Sequence, residues 1–173
     1  KRKDQVPLAY ILGKKNFMGL DFYVCPEVLI PRPETELSVQ ALMDLASDGA
    51  RVLELGVGSG CVSISLALLS GLSLEVLGAD ISPGALEVAK KNRRALGAGG
   101  VDLVLSDLFS NVFGTYDIIY SNPPYVACDD YDKLEPSVKD HEPALALKGG
   151  REGLDFYKKI SRQAPAYLRP GGH

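Results

Sequence analysis

The chain has 173 residues, 46% hydrophobic and 24% charged, which is the length of one ordinary domain and the balance of a globular protein, not a disordered or fibrous one. A net charge of −3 argues against a domain held to nucleic acid mainly through phosphate contacts, and no apolar run approaches the ~18 residues of a membrane span. Three scattered cysteines, Cys25, Cys61 and Cys128, with no CxxC pair and only His141 and His173 as histidines, disfavour a zinc site or a disulfide framework and suit a reducing, cytoplasmic setting.

The opening Lys1 to Gln5 leads into no apolar core with a small-residue cleavage site, so no signal peptide is expected. Pro7 to Pro33 is rich in Gly, Pro and aromatics; Phe17-Met18-Gly19 and Leu20 to Val24 read as two short strands of a hairpin. From Glu34 the pattern turns helical, with Leu37, Ala41, Leu42 and Leu45 on one face and Gly49 as a stop. Arg51 to Leu55 reads as a strand, Gly56 to Gly60 as a loop and Cys61 to Leu69 as a helix. Leu74 to Ala79 is a second strand, closed by Asp80. Ser82-Pro83 reads as an N-cap with proline at the first helical position, opening a helix that runs to about Leu96 and ends at Gly97. Val101 to Leu105 and Tyr116 to Tyr120 complete the strands. Asn122 to Gly150 is a long irregular stretch, which in a compact domain signals function or disorder. Gly153 to Leu168 predicts a last helix with Leu154, Tyr157, Ile160 and Ala164 on one face, kinked or ended by Pro165. Pro170-Gly171-Gly172-His173 is a turn signal with no strand after it. Strands alternating with helices predict right-handed crossovers and a mostly parallel, doubly wound α/β sheet behind the hairpin.

Glu54-Leu55-Gly56-Val57-Gly58-Ser59-Gly60 follows a strand and opens a helix, so it reads either as a tight turn or as a loop that brings backbone N–H groups and a helix N-terminus to a ligand. The dinucleotide fingerprint needs glycine where Cys61 stands, which points to a nucleoside-type ligand without a pyrophosphate and away from a nicotinamide dehydrogenase. Asp80, at the end of the next strand, suits the two hydroxyls of a ribose or is a solvated loop acid. Asp107 and Leu108 lie where an adenine edge and face would sit, or are a polar strand end and a core residue.

Asn122-Pro123-Pro124-Tyr125 directly follows the last strand. Its prolines fix the backbone and remove two N–H donors, leaving carbonyl oxygens and the one amide group of Asn122; a Pro-rich turn with a surface Tyr is the alternative. Such a segment suits methyl transfer to a planar nitrogen, whose lone pair is delocalised and which is a poor nucleophile. The amide C=O of Asn122 and the backbone C=O of Pro123 could each accept one N–H of an –NH₂ group, and Tyr125 could pack on the flat substrate. Arg32, Glu34 and Thr35 by themselves read as a helix entry, with Pro33 at the first turn and acids near the helix dipole.

Together these residues resemble the S-adenosylmethionine-dependent methyltransferases, and more narrowly the HemK/PrmC family of release factor glutamine N5-methyltransferases. The resemblance runs from Pro7-Leu8-Ala9-Tyr10 through Leu29-Ile30-Pro31-Arg32-Pro33-Glu34-Thr35-Glu36, the glycine loop, Asp80, Ser106-Asp107 and Asn122 to Val126, and on to Glu142-Pro143-Ala144-Leu145 and Gly153-Leu154-Asp155-Phe156. It implies a Rossmann-like class I sheet, with residues 1–33 as a connecting hairpin segment and 34–173 as a methyltransferase domain. It implies S-adenosyl-L-methionine on Gly56, Val57, Gly58, Ser59, Gly60, Asp80, Leu108 and Asn122, and no metal. It implies Asn122, Pro123 and Tyr125 as catalytic residues. It places the glutamine of a release factor's Gly-Gly-Gln loop on Asn122, Pro123, Pro124 and Tyr125, with Arg32 and Glu34 beside it. The family's sheet has seven strands, three of them after the position of Gly172, so the C-terminal strands are expected to be missing here and the fourth strand of the sheet to be an exposed edge. A monomer without membrane or direct nucleic-acid contacts is expected. N-methylation of an exocyclic base amine and an inactive cofactor-binding fragment are the alternative readings.

Overall fold

A computed structural model describes residues 5–173. A short helix, α1 (Leu8–Leu12), to which no sequence pattern pointed, precedes two antiparallel strands, β1 (Lys14–Phe17) and β2 (Leu20–Tyr23). Met18 and Gly19, expected as strand, form the turn: both have positive φ, 52° and 77°, the geometry of a primed two-residue hairpin. Phe17 and Phe22 are fully buried beneath it, edge to face at 6.1 Å. The Met18 N–H donates to Glu36 Oε1 at 3.0 Å, tying the hairpin to the next helix, α2 (Glu34–Leu45).

The buried face of α2 differs from the one expected. Val39 and Leu42 are buried, with Met43 and Ala46 packed beside them, whereas Leu37 is 74% and Leu45 48% exposed. The face is rotated by about a third of a turn, because the contact with the sheet layer follows the Val39-Leu42-Met43-Ala46 stripe at helical spacing and not the leucines.

The main sheet matches the expected alternation closely: β3 (Arg51–Leu55), α3 (Cys61–Leu69), β4 (Glu75–Asp80), α4 (Pro83–Leu96), β5 (Val101–Leu105) and β6 (Ile118–Ser121). All four strands are parallel, in the order β5-β4-β3-β6. Ser82 Oγ accepts the Ala85 N–H at 3.1 Å as the N-cap of α4, and Gly97 ends it in the left-handed conformation. One sheet face packs Val52, Val76, Val101 and Ile118 under Val39, Leu42, Val62 and Ile64; the other packs Leu53, Leu55 and Ala79 against Phe109, Val112 and Tyr116. Burial of both faces explains strands such as Arg51-Val52-Leu53-Glu54-Leu55 that run apolar without alternation. Chain order reverses at β3, whose neighbours are β4 and β6, so a crevice opens at the carboxyl ends of Leu55, Asp80 and Ser121.

The stretch 122–150 is ordered by short helical turns: α5 (Cys128–Tyr131), α6 (Pro136–Lys139) and a 3₁₀ turn at Ala144–Ala146. The last helix, α7 (Asp155–Gln163), is shorter than expected, and Pro165 sits in a 3₁₀ turn that ends it. Ile160 and Ala164 pack on the sheet beside Tyr167, which stacks on Phe109 at 4.5 Å, while Leu154 and Tyr157 stay nearly half exposed. β6 begins at Ile118, two residues later than expected. Its outer edge is not bare: the Arg169 N–H donates to Tyr116 O, the His173 N–H to Asp117 O and the Ile119 N–H to His173 O, each at 2.9 Å. The last residues therefore run in parallel beside the start of β6 and cover its edge as far as Ile119, while β6 stays the outer strand of the sheet, so the expected open edge is confined to the rest of the strand. No helix among the described residues is long and apolar enough to cross a membrane.

Candidate active site

The crevice holds a cavity of about 410 Å³, within the range of small-molecule sites. Its floor is the glycine loop. Gly56 (φ 77°) and Gly58 (φ 54°) turn the backbone through conformations that disfavour a side chain. The loop's donors are largely engaged: Gly56 and Val57 N–H bond Ala79 O at 2.8 and 3.0 Å, and Gly58 N–H bonds Asp80 Oδ2 at 2.8 Å. The loop thus offers a ligand close backbone approach and the N-terminus of α3 more than a row of free N–H groups. Gly60 itself lies off the lining. Its φ of 80° and the approach of Ile64, whose Cδ1 would be 2.8 Å from a Cβ there, make it a packing glycine.

Asp80 stands at the end of β4 and lines the cavity. Oδ2 accepts from Gly58 and Oδ1 from the Ser82 N–H at 2.9 Å, which fixes the carboxylate and leaves a lone pair on each oxygen for a ligand. Asp107 and Leu108 line the wall beyond β5. Leu108 has a φ of 48°, and Ser106 holds that turn by donating to Leu108 O at 2.8 Å and accepting from the Asn111 N–H at 2.9 Å.

Glu54 is a site residue that the motif reading passed over. It is 5% exposed, lines the cavity from β3, and accepts hydrogen bonds from both the N–H (2.9 Å) and the hydroxyl of Ser63. Burial pushes its carboxyl up to about 8; the Ser63 donors only partly oppose this, and the Asp80 charge adds to it. Burial, with the Glu54 charge second, pushes the neighbouring Cys61 thiol up to about 12. A lone acid inside the doubly buried strand Arg51-Val52-Leu53-Glu54-Leu55 was the available signal, since unpaired buried carboxylates are rare without a function.

Asn122, Pro123 and Pro124 continue from β6 along the opposite wall. Pro123 is buried, Asn122 is exposed, and no group among the described residues occupies the Asn122 amide. Tyr125 is 61% exposed and lies outside the cavity lining. The segment is clamped from behind: Val126 N–H donates to Leu147 O and Gly149 N–H to Val126 O, both at 2.9 Å. A Cβ on Gly149 would meet Tyr125 Cα at 2.6 Å, and one on Gly153 would overlap the Tyr125 carbonyl oxygen. Gly149 and Gly153 are what allow this approach.

Residues 143–146 and 27–32 close the cavity, and Glu142 joins the two segments. With its side chain 1% exposed, Glu142 accepts the Ile30 N–H at 3.1 Å through Oε2 and the Arg32 guanidinium at 2.6 Å through Oε1. Arg32 lines the cavity, as does Thr35. Glu34 does not; it lies in the exposed first turn of α2, which is the helix-start reading of that residue. The lining carries Glu27, Glu54, Asp80 and Asp107 against the one cation Arg32, among the described residues. No His/Cys/Asp/Glu cluster among them could hold a metal.

A parallel sheet in this order, with an acidic cavity at its reversal point, is the arrangement of methyltransferases. The protein belongs to the methyltransferase small domain family, whose model matches residues 33–149. A curated relative, the release factor glutamine methyltransferase of Geobacter sulfurreducens, is 45% identical over 99% of this chain and 60% of its own length. The chain spans about 60% of the length of the curated relatives it matches. Among solved structures, a methyltransferase from Pyrococcus furiosus shares the fold with a TM-score of 0.67 at 23% identity, over 99% of this chain and 75% of its own. A SAM-dependent methyltransferase from Thiobacillus denitrificans, solved with S-adenosyl-L-homocysteine, aligns with a TM-score of 0.51 at 24% identity, over 82% of this chain and 46% of its own.

Proposed function

We propose that this protein is the catalytic part of a cytoplasmic enzyme that moves a methyl group from S-adenosyl-L-methionine to the side-chain amide nitrogen of a glutamine in a peptide chain release factor. The observation that carries the reading is the pairing of an acid-rich, nucleoside-sized cavity with the clamped Asn122-Pro123-Pro124 wall at its mouth. The names of relatives 45% identical over nearly the whole length of this sequence support the choice of substrate.

The lining fits the cofactor's chemistry. Glu54 suits the ammonium of the methionine part, because a positive charge beside a carboxyl raised by burial restores its ionised form. The free lone pairs of Asp80 suit the ribose hydroxyls, and Asp107 with Leu108 suits the adenine. Bound there, S-adenosylmethionine supplies an electrophilic methyl group.

The protein's own residues then position the acceptor. The amide carbonyl of Asn122 and the backbone carbonyl of Pro123 each take one N–H of the substrate amide, which fixes the –NH₂ group and turns its lone pair toward the cavity. As the nitrogen gains positive charge, those fixed dipoles stabilise it, and the nitrogen returns to a neutral amide by releasing one of its two N–H protons to water. Pro123 and Pro124 bring no N–H of their own to compete. Arg32 is a substrate contact from the lining, and Tyr125 and Glu34, both exposed and outside the lining, are contacts for the protein substrate from the rim.

The test is transfer of labelled methyl to purified release factor by the full-length protein. Wild type should label the glutamine of the Gly-Gly-Gln loop, and Asn122→Ala should lose at least about 100-fold in kcat while melting as wild type does. A folded wild type that leaves the glutamine unmodified refutes the proposal.

A further inference from the structure

Asn92 joins three pieces of the molecule that are far apart in sequence. It lies on α4, 1% exposed. Its Oδ1 accepts the Tyr23 N–H at 2.7 Å, and its Nδ2 donates to Tyr23 O at 3.0 Å and to Ser59 O at 2.8 Å. Two carbonyl partners on one side and an N–H on the other leave a single orientation of the amide in which every group is satisfied. Tyr23 ends β2 of the hairpin. Ser59 is a buried member of the glycine loop and lines the cavity. Immediately after it, Gly60 presses against α3 and α4, where a Cβ would lie 3.5 Å from Ala89 Cβ. The loop is thus held to α4 by shape at Gly60 and by a hydrogen bond at Ser59.

We propose that Asn92 is a positioning residue for the cofactor loop: through the Ser59 carbonyl it sets the curvature of Gly56 to Gly60, and through Tyr23 it makes the hairpin a working part of the cofactor site. The inference rests on reading the cavity as the S-adenosylmethionine site. Its chemistry is specific to an amide. Asn92→Asp keeps the volume and the acceptor for Tyr23 N–H, but turns an anionic oxygen toward the Tyr23 and Ser59 carbonyls, and the loop must move away.

The test compares wild type and Asn92→Asp in calorimetric S-adenosylmethionine binding, in methyl-transfer kinetics and in thermal melting. The variant should show a Kd and a cofactor KM weaker by about tenfold or more. Its kcat at saturating cofactor and its KM for the acceptor should stay within about twofold of wild type. A variant that melts lower yet binds the cofactor as wild type does overturns the proposal and leaves Asn92 a purely structural role. A wild type that binds no cofactor overturns the reading of the cavity, and the proposal with it. Amide exchange in the wild type tests the same link without a substitution: saturating cofactor should slow the Tyr23 amide more than the amides of Lys14–Phe17. Equal slowing overturns the proposal.

Discussion

Removing the Arg32 guanidinium should cost the protein more than removing the Glu142 charge, although the two form one ion pair. Arg32→Met strips a carboxylate whose side chain is 1% exposed of its cationic partner, leaving it the Ile30 N–H alone among the described residues. Breaking such a pair from this side should cost about 3 kcal/mol. Glu142→Gln keeps an acceptor for Ile30, and leaves Arg32, 37% exposed, to be solvated by water, so about 1 kcal/mol is expected. The double variant buries no unpaired charge and should recover much of the loss, giving a coupling of about 2 kcal/mol. Urea unfolding of the four proteins measures this. With a slope near about 2 kcal/mol/M, Arg32→Met should move the midpoint down by about 1.5 M. Costs that simply add, or a Glu142→Gln loss as large as that of Arg32→Met, would refute the argument that the buried carboxylate is the vulnerable partner.

Gly153→Ala should misplace the acceptor wall, because a Cβ at that left-handed position overlaps the Tyr125 carbonyl. A stability loss of about 1–3 kcal/mol and a drop of about 100-fold in transfer rate are expected, against no effect for Gly99→Ala, whose Cβ would meet nothing. Glu54 makes stability fall as pH rises. Its carboxyl titrates near 8 when folded and near 4.5 when unfolded, so between those values the folded state holds the extra proton and loses stability with increasing pH, by at most about 1.4 kcal/mol per pH unit. Denaturant titrations of Glu54→Gln should show that slope removed between pH 5 and 8; an unchanged slope would place its origin elsewhere.

Most of the sheet was legible because its signals are local. Ser82-Pro83, Gly97 and the Val-rich strands mark their elements to within a residue or two, and the run of glycines from Gly56 to Gly60 marks the loop between β3 and α3. What escaped depends on the third dimension. The buried stripe of α2 follows Val39 and Met43 because of where the sheet lies, and no periodicity distinguishes that stripe from the leucines at 37 and 45. The roles of Glu142, Asn92 and Gly153 come from partners 112, 69 and 28 residues away in sequence. Glu54 was visible as a charge in a buried strand but looked like part of a motif instead of a site. The short Leu8–Leu12 helix has too few turns to leave a pattern.

Whether the cavity is an S-adenosylmethionine site decides everything proposed for it, and calorimetry on this protein measures that directly, with Asp80→Ala as the comparison. The predicted result is one-site binding by the wild type, weakened by at least about tenfold when the Asp80 carboxylate is removed, because that change takes away both the ribose acceptor and the hold on Gly58 and Ser82. A wild type that binds no cofactor, or an Asp80→Ala variant that binds it equally well, would contradict it.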